Sequence, residues 1–240
     1  MIEFLKAFLM WFIVFSSSAF ATSLTVKWKE KMGVLTMQTT MFLLSFLLIA
    51  LINPGLLKLQ VDIKIVTLAI LSGFILSFSL NIIGRNSSPP SMPSFFPRGG
   101  VERVFILLFL APPLSEETLN RALIEGYLLS YGHFWSAIFF SALLFSLPPH
   151  WMAFEGKKGE RGFIVIGAFL LGSLAGYFYA LGGIFPAFLA HSSANLAGMV
   201  AEKPGEGHVS RTQGSALVNH FASRLWSISR IERRWPGKIS

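Results

Sequence analysis

The chain alternates seven mostly apolar stretches with polar connections, and one of the seven carries charge in its interior. The stretches are residues 4–21, 34–52, 65–83, 105–129, 134–149, 163–181 and 184–200. About 20 apolar residues suffice for a helix to cross the hydrocarbon layer of a bilayer. Inside that layer every backbone group must be satisfied within the protein, which leaves helices or closed barrels. The expected fold class is therefore all-α: a polytopic transmembrane bundle of about seven to eight membrane helices. Composition agrees, since 53% of the 240 residues are hydrophobic and only 13% are charged. An average soluble domain carries about 25% charged residues.

The net charge of +8 could suggest nucleic acid. The placement of the cations argues for a membrane instead. With about seven spans and the C-terminus inside, Lys27, Lys29 and Lys31, then Arg85, Arg98 and Arg103, then Lys157, Lys158 and Arg161 all fall in inner loops. The tail cations from Lys203 to Lys238 fall inside too, while Lys6, Lys58 and Lys64 are left outside. Such a bias sets orientation in the cell membrane and places the C-terminus in the cytoplasm. Ala19-Phe20-Ala21 has the look of a signal-peptide cleavage site. Cleavage there would strand the Lys27–Lys31 cluster outside, so an uncleaved first span is expected. The lipid bilayer, not nucleic acid, is the expected partner.

Four parts follow: N-terminal transmembrane helices at 1–84, a cytoplasmic loop at 85–103, a membrane core at 104–200 and a basic cytoplasmic tail at 201–240. The loop is rich in Pro and Ser, as in Ser87-Ser88-Pro89-Pro90. In the tail, Leu217, Phe221, Leu225 and Ile228 recur at helical spacing among arginines, as in a basic helix lying on an anionic leaflet. The N-terminal spans hold no embedded charge, which suits packing or substrate access. Absence of cysteine excludes disulfides, thiol nucleophiles and thiolate-held metals.

Ionisable groups inside spans are costly and mark function by default. The fourth stretch holds Glu116, Glu117, Arg121 and Glu125 just after Pro112-Pro113. Two consecutive prolines remove two backbone donors, so a kinked or broken helix is expected there. Glu117 and Arg121 stand one helical turn apart and can pair, as can Glu116 and Asn120. Counted from Val104, Glu116 lies roughly 18 Å along an α-helix. Arg121 neutralises one carboxylate, and desolvation disfavours the charged form of the other, a setting that suits a general base for water. His150 closes the fifth stretch after Pro148-Pro149. His191 and Asn195 share one helix face. Gly167, Gly172, Gly176, Gly182 and Gly183 allow close helix approach nearby. No phosphate loop, dinucleotide fingerprint or nucleophile elbow is present, and the serines lack a paired base at a recognisable spacing.

In these residues the chain resembles the CAAX-protease and bacteriocin-processing family of membrane proteins, which includes the eukaryotic type II CAAX prenyl endopeptidase. The family's Glu-Glu, three residues, then Arg is matched by Glu116, Glu117 and Arg121. Its His with Asn four residues on is matched by His191 and Asn195. Its remaining His, with Phe four residues earlier, corresponds to His150, but Phe145 stands five residues back and Ser146 takes the Phe place. Asn120 and Ala122 flank the arginine where the family has Phe and Gly. The resemblance covers about residues 111 to 198.

It implies an intramembrane endopeptidase. Glu116 with His150 would activate water, His191 and Asn195 would stabilise the oxyanion, and Glu117 with Arg121 would set the electrostatics. Substrates would be membrane-associated or transmembrane proteins or peptides. No cofactor is expected, although zinc at Glu116, His150 and His191 is the alternative, given the three-ligand habit of catalytic zinc. The metal-free form is preferred because it uses Asn195 as an oxyanion donor. Competing readings are a transporter, or a non-catalytic immunity or scaffold protein of the same fold. The single proline-broken segment argues against the paired broken helices usual in transporters.

Overall fold

A computed structural model describes residues 1–28, 32–84, 100–153 and 158–201. All elements among them are helical. The helices are α1 (Ile2–Trp28), α2 (Gly33–Ile52) and α3 (Ile63–Gly84), with a 3-10 turn at Pro54–Leu57 between the last two. Next comes α4, which starts as Gly100–Phe105, continues as a π-wound stretch Ile106–Glu125 and ends as Gly126–Leu129. The bundle closes with α5 (Phe134–Ala153), α6 (Lys158–Gly182) and α7 (Ile184–Ala201). The tail and most of the inner loop fall outside the described residues, as do Lys29 and Lys31.

Among the described residues, five helices are long and apolar enough to cross a membrane: α1, α2, α3, α6 from Arg161, and α7. In α1 to α3 the apolar residues run all round the helix. Such a helix must be covered by protein or by lipid on every side, and many large apolar side chains of these three do face outward. The chain is a multi-pass membrane protein. Helix α4 is less apolar because it carries the charged groups, and with α5 it packs among the others. Helix α1 runs on past Ala21 to Trp28, and its Ala7, Trp11 and Val14 belong to the main buried cluster.

Helix α4 occupies the centre and touches α1, α2, α5, α6 and α7. Helix α3 stands to one side, packed most extensively on α7. There Gly73 lies against the backbone carbonyl of Ala190, a distance that leaves no room for a Cβ. Tight turns join neighbours: Gly132 at φ 82° closes α4, its amide on the Leu129 carbonyl, before α5 begins. Gly183, also at φ 82°, ends α6 with its amide on the Tyr179 carbonyl at 2.8 Å. The loop after α2 plugs into that corner, where the Tyr179 hydroxyl donates to Leu56 O and the Lys58 ammonium sits 5.1 Å from the Tyr179 ring centre.

At Pro112-Pro113, where the sequence predicts a kink or a break, α4 continues as one helix in a π-wound register. Its amides reach back five residues, as that of Gly126 does to the Arg121 carbonyl. In that register, Pro112 and Pro113 leave the carbonyls of Leu107 and Leu108 without helical donors. Both are filled from α7: Asn195 Nδ2 donates to Leu107 O and Ser192 Oγ to Leu108 O, each at 2.8 Å. The helix survives its prolines because a neighbour supplies the two missing hydrogen bonds. Helix α4 also begins at Gly100, inside what the sequence reads as loop.

Candidate active site

The site is built on α4. Glu117 and Arg121 lie one step apart on the helix and are both fully buried, with Arg121 Nε donating to Glu117 Oε2 at 3.0 Å. The other Glu117 oxygen, Oε1, lies 2.7 Å from His191 Nδ1 on α7. One carboxylate thus ties the arginine of its own helix to a histidine of the next. A carboxylate paired with arginine only accepts hydrogen bonds, so Nδ1 of His191 carries the proton and Nε2 is left for other work.

Arg121 has further partners. Its Nη1 donates to Glu125 Oε2 at 3.3 Å and to Ser141 Oγ at 2.5 Å. Ser141 passes its own proton to the Asn120 carbonyl at 2.7 Å. The guanidinium carbon also stands 5.5 Å from the centre of the Phe145 ring. Glu117 and Glu125 therefore share the single cation, and Glu116 does not draw on it directly. Among the described residues, the ion-pair neighbour of Glu116 is His191, with Nε2 4.0 Å from Oε2. That gap is too long for a direct hydrogen bond. The Glu116 side chain is 26% exposed where that of Glu117 is sealed. Asn120 does not bond the Glu116 carboxylate; its amide donates to the Glu116 backbone carbonyl at 2.9 Å. Short polar side chains on helices commonly bond back to the carbonyl one turn earlier.

His150 sits half-buried near the end of α5. Its Nδ1 is 3.0 Å from the Phe145 carbonyl, the acceptor that Pro149 would serve in an α-helix if it had an N–H. Facing a carbonyl, Nδ1 donates, which leaves Nε2 as an acceptor. The five-residue spacing does not separate Phe145 from the histidines. Its ring meets His150 edge-on at 5.0 Å and His191 edge-on at 5.5 Å.

Between these groups lies a cavity of about 30 Å³, room for about one water. Its polar lining is Glu116, Asn120 and His150, and its walls include Trp11 and Phe15 of α1 and Met37 and Met41 of α2. The N-terminal helices thus form part of the site. Polar residues not singled out in the sequence also take part: Gln38, Ser115, Ser141 and Ser192. Gln38 is uncharged within an apolar span, and Ser192 simply follows His191, so neither announces itself by charge.

Zinc at Glu116, His150 and His191 would have to be held through the Nε2 atoms of the two histidines. Among the described residues no three His, Cys, Asp or Glu side chains are grouped closely enough to hold an ion. Nδ1 of His191 is engaged by Glu117 and Nδ1 of His150 by a carbonyl.

No curated protein and no solved structure matches the chain. Residues 101–197 match the family model described as type II CAAX prenyl endopeptidase Rce1-like. The match takes in α4, α5 and α6 and most of α7, with all six of the sequence-predicted site residues. Through this membrane core the chain is similar to the CAAX-protease family.

Proposed function

We propose that the chain is an intramembrane endopeptidase in which Glu116 activates water against a peptide bond. The observation that carries this reading is the division between two adjacent carboxylates. Glu117 is consumed by Arg121 and His191, while Glu116 is left beside a water-sized cavity without a direct arginine partner. Neighbouring carboxyl groups in contrasting environments commonly divide catalytic roles in this way.

In the proposed reaction Glu116 takes a proton from water, and the oxygen attacks the scissile carbonyl carbon. The Nε2 atom of His150 accepts from the same water. In this reading His191 works as the imidazolium and keeps both ring protons throughout: its Nε2–H donates to the oxyanion while Glu117 stabilises the charge, as the buried aspartate does in a serine-protease triad. Asn195 uses one amide hydrogen on Leu107 and has a second to offer the oxyanion. Glu116 then returns its proton to the leaving nitrogen, the C–N bond breaks, and a carboxylate and an amine result. No step runs through a metal.

The purified protein in proteoliposomes, given a peptide ending in a farnesylated CAAX sequence, tests this reading. Cleavage by wild type and its loss in Glu116→Gln, by about 10²- to 10⁴-fold, is the expected result. If that peptide is left intact, membrane peptides from cells expressing each form extend the test to other substrates. Identical peptide profiles would sink the proposal. Loss of activity on chelation, restored by zinc, would overturn the metal-free mechanism.

A further inference from the structure

Asn120 uses only part of its hydrogen-bonding capacity within the protein. The residue is 3% exposed, and its Nδ2 donates to the Glu116 backbone carbonyl at 2.9 Å. That contact fixes which way the amide is turned, because a carbonyl oxygen accepts only from a donor. The nitrogen faces Glu116 O, and the amide oxygen is directed elsewhere. Among the described residues no donor reaches this Oδ1, although it is buried. A buried acceptor without a protein partner is costly, and in folded proteins ordered water commonly serves it.

Asn120 also lines the cavity of about 30 Å³ that it shares with Glu116 and His150. The rest of the wall is apolar or aromatic. A buried water makes about three hydrogen bonds, and Glu116 and His150 supply two. We propose that Asn120 is a third ligand of the reacting water, accepting a hydrogen bond from it at Oδ1. This inference rests on the endopeptidase reading and adds a catalytic residue that touches the nucleophile.

Water has two protons to donate. Glu116 receives the one it removes, and Oδ1 of Asn120 shares the other with Nε2 of His150 in a three-centre bond. With both O–H bonds held, the water is kept from turning, and a lone pair stays available to the scissile carbonyl carbon. The backbone of Asn120 is itself anchored, since Ser141 Oγ on α5 donates to its carbonyl at 2.7 Å.

The test uses full-length Asn120→Leu, Asn120→Ser and Glu116→Gln in proteoliposomes. The probe is the farnesylated peptide, or a peptide found by the membrane comparison above. Thermal unfolding of each form in detergent is followed alongside. Leucine fills nearly the same space without hydrogen bonds. Serine keeps a bond to the carbonyl four residues back, as Ser18 does to Val14 O at 2.8 Å, but ends one bond short of the amide oxygen.

The expected result is a fall in kcat of about tenfold in both Asn120 variants, the scale of one hydrogen bond. KM should change little, and Asn120→Ser should unfold near the wild-type temperature. Wild-type kcat in Asn120→Ser would reduce Asn120 to its backbone bond and overturn the inference. A loss confined to KM, or one that follows unfolding temperature across the two variants, overturns it too. Full activity in Glu116→Gln sinks the endopeptidase mechanism itself. An inactive Glu116→Gln beside fully active Asn120 variants removes only the role of Asn120.

Discussion

The side-chain amide of Asn195 donates to the backbone carbonyl of Leu107 at 2.8 Å, the acceptor that Pro112 cannot serve in the π-wound register of α4. Ser192 does the same for Leu108, opposite Pro113, and His150 does so for Phe145, opposite Pro149. In each case a proline frees a carbonyl and a polar side chain of the site region takes it. The prolines thereby help to hold these side chains in place.

Asn195→Ala should destabilise the protein by about 1–3 kcal/mol, the cost of an unsatisfied buried carbonyl. Pro112→Ala restores a backbone donor to Leu107, so the same change in a Pro112→Ala background should cost clearly less. Thermal unfolding of the four forms of this double-mutant cycle measures the coupling. Additive losses would mean that Asn195 stabilises α4 by some other contact.

Arg121→Ala leaves Glu117 and Glu125 buried without their shared cation. Removing one partner of a buried ion pair costs about 3–5 kcal/mol, so the folded yield in detergent should drop steeply. Arg121→Lys keeps the charge but loses the fork that reaches Glu117, Glu125 and Ser141 together. It should fall between the two in unfolding temperature.

Glu116→Gln and Glu117→Gln should separate activity from stability. The Glu116 side chain is partly exposed and lines the cavity, so its amide variant should unfold at nearly the wild-type temperature while losing turnover. Glu117 binds Arg121 and His191 at once, so Glu117→Gln should lower both. Equal thermal losses for the two variants would contradict this division.

Gly176 and Gly167 lie on the same helix and should respond oppositely to alanine. A Cβ at Gly176 would come within 2.5 Å of Glu125 Oε2, which Arg121 holds in place. Overpacking of that kind costs about 1–3 kcal/mol. A Cβ at Gly167 meets only Leu80, at an ordinary 3.5 Å. There the gain in helix propensity, up to about 1 kcal/mol, should leave the protein as stable or slightly more so. Unfolding temperatures of the two variants check the contrast.

The Glu117–Arg121 pair was legible because both partners lie on one helix, where spacing alone brings them together. The apolar runs were legible for a similar reason, since backbone hydrogen bonding in hydrocarbon admits little besides helices. His191 beside Glu117 is a contact between α4 and α7, residues 74 positions apart, and no local periodicity encodes it. At Pro112-Pro113 the sequence showed the donors lost within one helix but not Ser192 and Asn195 beside it, which supply them. Gln38 escaped notice because an amide in an apolar span carries no charge to mark it.

The sequence by itself determined that this chain is a bundle of membrane helices, and which ionisable side chains lie within its apolar segments. Hydrocarbon forces both conclusions, since it admits helices and penalises unexplained charge. Only the tertiary structure decided how those groups are shared out. Arg121 goes to Glu117 and Glu125, Glu116 is left beside the cavity, and α1 and α2 close the cavity from outside the family-like core. That distribution depends on which helix faces meet, and packing between distant segments sets it.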